Sequence, residues 1–365
     1  MPLFAASPRR SPAAAGWPMR LGALLLSLAA VTLFGAIPAA ADEPSPYDDS
    51  PTRPAVATTT TTTTTAATDT DSATPSENSK PAAPRTPPKK RRGGISPCMT
   101  PDPGFGVYDV WAGTGTGMGQ VLMPHKGGIT KNGSFDVIFH FHGHEPIRKE
   151  FVKAAKGIVL VGIDLGIGSG AYSNGFASPG TFTHLLASVE NVVAKHAGRK
   201  SAKARKIAIS SWSAGYGATE QILRQTGGKG IDAVILLDSL HTGYVDEQAH
   251  SLKTDQLAPF VGFARRAARK QAFMFLSHSS IIPPGYASTT EVASYVVATL
   301  GGRPKKATRQ DVLGLDMIDR FDKGNFHMRG YTGDDKPDHC AHIGLMVDIV
   351  RAHLEPRWKT PKGRK

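Results

Sequence analysis

Ser213 stands in the string Ser211-Trp212-Ser213-Ala214-Gly215. The apolar run before it, residues 206–210, reads as a buried strand, and residues 214–225 read as a helix. A serine between the two sits on a turn so tight that the residues two before and two after it must be small. Ser211 and Gly215 meet that need. The hydroxyl would then stand at the C-terminal edge of a sheet, where open α/β folds bind ligands. A serine hydroxyl is a weak nucleophile until a histidine accepts its proton, and that histidine needs a carboxylate to fix its tautomer. The backbone N–H of Ala214, at the helix start, would face a developing oxyanion. The plainer reading of Ser213 is a helix cap.

Asp238 ends the apolar run 233–237, the strand after that helix, and is the best-placed carboxylate. The run 272–277 leads into His278-Ser279-Ser280-Ile281 with no acid nearby, so Glu291, the next acidic residue, is the alternative. The run 135–141 leads into His142-Gly143-His144. Because His140, His142 and His144 alternate, they would face one side of a strand, and H-x-H is also a zinc-ligand spacing. An oxyanion loop, a metal site and plain structural roles are therefore all readings of this segment.

These residues need elements to position them. Runs at 135–141, 158–164, 206–210, 233–238 and 272–277 are short and nearly continuous in apolar residues, as strands buried on both faces are. Helix-like segments at 180–197, 214–225, 257–270 and 289–300 lie between them. The alternation predicts a mostly parallel sheet of about eight strands with helices on both faces. Segments 106–111 and 120–123 read as an antiparallel hairpin before it, and 326–331 as the last strand. A polar loop then leads to Asp338-His339-Cys340-Ala341-His342, which opens a final helix. The glycine-rich stretch 163–170 reads as a rim loop, since it lacks the spacing and lysine of a phosphate loop.

The strand ending in His-Gly and the serine on its strand–turn–helix together resemble the α/β-hydrolase superfamily. The resemblance covers the folded part, rests on order and context, and points to no single member. It implies an α/β-hydrolase fold and a serine hydrolase that cleaves an ester, with amides and peptides as further substrates. It places the chain order as Ser213, then Asp238, then His339, with His342 as the alternative base one turn on. It gives the second oxyanion N–H to His144 beside Ala214. His142, Gly143, Trp212 and Tyr216 would line the substrate pocket. The reading calls for no cofactor and no metal. The rival readings are a metal-dependent hydrolase using His140, His142 and His144, and a non-catalytic binding protein on the same fold.

The rest of the chain frames this domain. Residues 1–41 carry arginines, a short apolar run and Ala39-Ala40-Ala41 before Asp42, the pattern of a secretory signal, so a periplasmic or secreted location is expected. Residues 42–95 are rich in threonine and proline with a basic run at Lys89–Arg92, and read as a disordered linker. The catalytic domain is expected at 96–356 and a basic tail at 357–365. The whole chain has a net charge of +13, and its first 95 residues hold ten Lys/Arg and seven Asp/Glu, leaving about +10 on the remainder. No nucleic-acid motif accompanies that charge. The expected partners are a small-molecule or polymeric ester and, through linker and tail, an anionic cell surface. Two cysteines exclude a disulfide-dense scaffold and a four-cysteine zinc site. Cys98 and Cys340 either pair, tying the start of the domain to the last helix, or Cys340 is a buried apolar residue on that helix.

Overall fold

The computed structural model describes residues 96–101, 107–109, 118–124, 127–310 and 314–359. The signal, the linker and the last six residues of the tail lie outside the described residues. Six strands form the parallel centre of the sheet: β3 (Ser134–Phe141), β4 (Ile158–Ile163), β5 (Lys203–Trp212), β6 (Ala233–Leu237), β9 (Phe273–Ser279) and β12 (Phe326–Tyr331). The strands β1 (Val107–Asp109) and β2 (Gln120–Leu122) join at one edge as the expected antiparallel hairpin. The order is β1-β2-β4-β3-β5-β6-β9-β12-β11-β10.

Among the described residues this sheet has ten strands, two more than the roughly eight expected. The difference is the insert 301–324. It supplies β10 (Lys305–Gln310) and β11 (Asp316–Lys323), which extend the far edge antiparallel to β12. Their sequences, KKATRQ and DMIDRFDK, carry charges where a buried strand carries apolar residues. A separate hairpin pairs β7 (Tyr244–Asp246) with β8 (Ser251–Leu252).

The parallel strands are buried on both faces because helices cover both. Val137, Phe139 and Phe141 of β3 face one core, and Ile138 faces the other. The first core is closed by α2 (Ser169–Gly175), α3 (Thr181–His196), α4 (Tyr216–Thr226), α5 (Thr254–Ala268) and α6 (Thr289–Thr299). The second is closed by α1 (His144–Phe151) and by the C-terminal run of α7 (Lys336–Ala341), α8 (Leu345–Ile349) and α9 (Glu355–Trp358). The domain therefore runs past residue 356: α9 ends at Trp358, whose indole is buried in the second core, so the expected tail begins inside a helix.

Cys98 and Cys340 form a disulfide, with Cα atoms 6.2 Å apart. It fastens the segment 96–101 to α7 across 242 residues of chain. The chain leaves β3 toward β4 on one side and returns to β5 on the other. The crossover point between β3 and β5 opens a crevice at their C-terminal ends, and such a crevice is where doubly wound sheets hold ligands.

Candidate active site

Three residues with side chains sit at the C-terminal edge with positive φ: His142 (71°), Ser213 (48°) and Asp238 (45°). Each follows a parallel strand, β3, β5 or β6. A left-handed backbone on a residue with a Cβ is costly and persists only where the surroundings dictate it. Around Ser213 those surroundings are explicit. A Cβ on Gly215 would lie 2.0 Å from the carbonyl oxygen of Phe141, so only glycine fits two residues on. The Ser239 hydroxyl donates to the Ser213 carbonyl at 2.8 Å and lies 2.8 Å from the Ser211 hydroxyl. Ser213 itself is half-buried and opens the turn Ser213–Gly215 that leads into α4. Ala214 is the next residue in that turn.

Asp238 is buried and fully engaged. Its Oδ2 lies 2.7 Å from His339 Nδ1. Its Oδ1 accepts the Ser279 N–H at 2.8 Å and the Thr289 hydroxyl at 2.6 Å. Burial alone would raise this carboxyl. The neighbouring imidazoles of His342 and His339 and the Thr289 hydroxyl outweigh it and hold Asp238 well below the usual carboxylate range. An ionised carboxylate on Nδ1 fixes the imidazole so that Nε2 is the nitrogen left for proton transfer.

His339 is set by a third contact. The Trp212 indole stacks on its ring at 4.8 Å and donates Nε1–H to the His339 carbonyl at 3.1 Å. The other side of Trp212 stacks on His142 at 5.1 Å with the planes 14° apart. The residue that precedes Ser213 is thus clamped between two imidazoles, where the sequence suggested a pocket wall. Gly143 belongs to the same clamp: a Cβ there would lie 2.8 Å from the indole.

The alternatives are placed elsewhere. His342 is buried with Nδ1 2.9 Å from the Ser277 hydroxyl and its ring edge-on to Tyr331. Burial, reinforced by His339 and His278 and opposed by Asp238, pushes it down to about 4. Glu291 caps α6 with Ser288 in a reciprocal box, and its carboxylate also takes the Tyr244 hydroxyl and His250 Nδ1. It joins neither His339 nor His342 in these contacts.

The three alternating histidines do not converge as a metal site. β3 ends at Phe141, and the positive φ of His142 and Gly143 breaks the alternation. His140 bonds the Ser210 hydroxyl at 2.9 Å, His142 the Tyr172 hydroxyl at 2.8 Å, and the His144 ring Gln120 at 2.7 Å. Burial pushes His142 down to about 4 against the pull of Asp164, with His339 adding to the push. Among the described residues the one group with ligand-like spacing is the acidic trio Asp334, Asp335 and Asp338 at the start of α7.

The backbone N–H of His144, expected to face an oxyanion, donates to the Asp164 carboxylate, 3.0 Å from Oδ2 and 3.3 Å from Oδ1. Asp164 follows β4 directly, inside the stretch that the sequence suggested was only a flexible rim. Tyr216, expected in the pocket, is half-buried, donates to the Ser169 hydroxyl at 3.1 Å and lies 5.9 Å from the His241 ring. Tyr286 meets His241 edge-on at 5.1 Å. His241 stands near a predicted strand end and Tyr286 in the apolar and aromatic run 281–286, so both are readable in the sequence as lining residues.

No family model matches the chain, and no curated protein matches it. Solved structures similar to it include the poly(3-hydroxybutyrate) depolymerase LpqC of Bordetella parapertussis, at 13% identity and a TM-score of 0.38 over 63% of this chain and 82% of that one. An esterase of Pyrobaculum calidifontis aligns at 11% identity and a TM-score of 0.37 over 65% and 80%. A carboxyl esterase of Tuber melanosporum aligns at 12% identity and a TM-score of 0.36 over 65% and 82%. With its crossover between β3 and β5 and a serine turn closing β5, the chain has the α/β-hydrolase fold.

Proposed function

We propose that this chain is an exported serine hydrolase that cleaves an ester through an acyl-enzyme. Ser213 is the nucleophile, His339 the general base and Asp238 the residue that orients it. Ser213 Oγ attacks the carbonyl carbon while its proton passes to His339 Nε2. The oxyanion is held by the N–H of Ala214; the His144 N–H, engaged by Asp164, joins it only when that carboxylate moves away. The C–O bond then breaks, and His339 returns the proton to the leaving alkoxide. Water repeats the sequence on the acyl-enzyme and frees the acid and Ser213.

The observation that carries this reading is the buried Asp238–His339 pair, 2.7 Å apart, clamped by the tryptophan that immediately precedes a strained serine. Three of the five non-glycine residues with positive φ among the described residues lie at this sheet edge, and such strain suits a preorganised site. Substrate class beyond an ester, and contact of the basic linker with an anionic surface, belong to the same proposal as expectations.

The test is covalent labelling. A fluorophosphonate probe should label the full chain, and a peptide containing Ser213 should carry the mass. Ser213→Ala should abolish labelling and lower kcat by about four orders of magnitude or more. Undiminished labelling of that variant removes Ser213 from the mechanism.

A further inference from the structure

The two ends of the parallel sheet carry opposite charge. The segments that lead into β3, β5, β6 and β9 are 130–133, 198–202, 227–232 and 269–272. They hold Lys131, Arg199, Lys200, Lys229, Arg269 and Lys270 against one acid, Asp232. Lys156 before β4 and Lys323 before β12 continue the row on its two flanks. The segments that follow these six strands hold Asp164, Asp238, Asp246, Glu247, Asp334 and Asp335 against Lys253. The basic segments lie side by side. The Lys203 N–H donates to the Gly133 carbonyl at 2.9 Å, the Asp232 N–H to Ile207 at 2.8 Å and the Phe273 N–H to Asp232 at 2.9 Å. The Arg199 guanidinium donates to the Lys131 carbonyl at 2.9 Å, which brings two of the cations together.

Local rules account for only part of this charge. Basic residues in the last turn of a helix pair with its free carbonyls, which explains Lys195 in α3, Arg224 in α4, and Arg265 and Arg266 in α5. The six cations named in the four segments lie beyond those helices. Ion pairing does not explain them either. Asp232 is taken by Lys206 at 2.6 Å, and among the described residues no carboxylate pairs with any of the six. All six are exposed. Like charges gathered without acids repel one another, so an external anion is what balances them.

The breadth of the array indicates the form of that anion. Six adjacent strands spread the cations over about 24 Å, at a spacing of about 4.8 Å per strand. The exposed large apolar residues among those described, Met99, Ile167, Val245 and Ile282, all lie outside these segments, so nothing here is built to insert into a bilayer. A broad array free of apolar residues suits a plane of phosphate headgroups rather than one small anion. The last helix ends on the same side. The Trp358 carbonyl accepts Arg205 Nη2 at 2.7 Å near the start of β5, and the residues after Lys359, TPKGRK, add Lys362, Arg364 and Lys365 in sequence. The acidic end lies about 20 Å away along strands of this length, well beyond the roughly 8 Å over which charges act in physiological salt, and an anionic surface repels it.

We infer that the N-terminal end of the parallel sheet docks on an anionic phospholipid surface through these exposed lysines and arginines, with the acidic end and its crevice turned away from that surface. This adds a folded face to the contact expected of the linker, and it holds whether or not Ser213 is a nucleophile.

The experiment is co-sedimentation of the full chain with vesicles of phosphatidylcholine alone, and of phosphatidylcholine with about one-third phosphatidylglycerol. The wild type should bind only the anionic vesicles at about 0.1 M salt and leave them at about 0.5 M. Lys131→Gln, Lys200→Gln, Lys229→Gln and Lys270→Gln together should weaken binding about a hundredfold. The pairs Lys131→Gln with Lys200→Gln, and Lys229→Gln with Lys270→Gln, should each weaken it about tenfold, and they carry the test if the fourfold variant melts early. Lys253→Gln with Lys336→Gln, at the acidic end, should change binding less than about twofold. Three results overturn the inference: a fourfold variant, or folded pairs, that bind like wild type; an equal loss from Lys253→Gln with Lys336→Gln; or retention on a sulfated polysaccharide without binding to the vesicles. Fluorophosphonate labelling of Ser213 is read separately, so none of these outcomes touches the hydrolase reading.

Discussion

At the N-terminal end of the parallel strands, charges answer charges. Arg205 holds Asp136 through two bonds of 2.8 and 2.6 Å, Lys206 pairs with Asp232 at 2.6 Å, and Lys203 pairs with Glu190 at 2.6 Å. A cavity of about 330 Å³ opens there, lined in part by Asp136, Arg205, Lys156 and Glu355. Its polar groups are matched to one another, as when Glu355 accepts the Lys156 N–H at 3.0 Å. At the C-terminal end of the same strands, three non-glycine residues carry positive φ, a carboxylate is buried against an imidazole, and His140 and His342 each bury an Nε2 without a hydrogen-bond partner. The ion pairs named at one end satisfy each other, while the other end holds three of the five non-glycine residues with positive φ among the described residues and two unsatisfied imidazole nitrogens. None of the residues proposed for catalysis lines that cavity.

The sharpest way to break the comparison is to remove the buried charge at the C-terminal end. Asp238→Asn keeps size and hydrogen-bonding capacity but lets His339 adopt the wrong tautomer. It should lower kcat about 10³- to 10⁴-fold with a smaller change in KM. A variant within tenfold of wild type on a chromogenic ester would show that Asp238 is only a turn residue.

The disulfide tests whether that end needs outside support. It joins α7, which carries His339, to a segment otherwise far away in the chain. Replacing both Cys98 and Cys340 by serine should cost about 2–5 kcal/mol of stability, read from denaturant melts of the full chain. Melts of wild type and variant that superimpose would mean that α7 is held by its own packing.

Acid should separate the two ends further. Burial holds His140 down at about 3, with smaller pushes from His142 and His144, and holds His342 down at about 4. Unfolded, both would take a proton below about 6.5. Folded, they stay neutral until pH 4 or below. The stability they confer is therefore whole above pH 6.5 and is lost as pH falls toward 4, about 2 kcal/mol from each by pH 5. The melting temperature should drop between pH 7 and pH 5. His342→Asn should make that drop smaller even though it lowers the temperature at pH 7. An unchanged slope would place the acid sensitivity elsewhere.

Much of this was legible because parallel strands buried on both faces must be apolar throughout. Ile158–Ile163 is buried at every position, and its sequence IVLVGI says so. The serine turn was legible because its sterics act locally, through Ser211 and Gly215. What escaped was whatever depends on partners far along the chain. The strands β10 and β11 are rich in charged residues and pair with each other and β12, so no apolar run marks them. The helix α1, HEPIRKEF, buries Lys149 and Glu150, charged residues that carry no apolar signal. Asp164 looked like part of a glycine-rich rim, and only the return of β4 beside β3 brings its carboxylate to His144. Trp212 was visible beside Ser213, but its place between His142 and His339 is set by a helix 127 residues later.

The smallest effect belongs to the N-terminal end, and it sharpens the contrast by leaving activity alone. Arg205 is 32% exposed and Asp136 11%, so solvent screens part of their attraction. Their geometry is nonetheless bidentate, and Arg205 also donates to the Trp358 carbonyl at 2.7 Å, which ties the start of β5 to the last helix. A double-mutant cycle with Arg205→Ala and Asp136→Asn should give a coupling of about 1 kcal/mol. Ester hydrolysis, measured on folded protein, should stay within twofold for every corner of the cycle, because no described contact links this pair to Ser213. If instead kcat falls with the pair, the two ends are coupled through β3 and β5, and the division of labour between them does not hold.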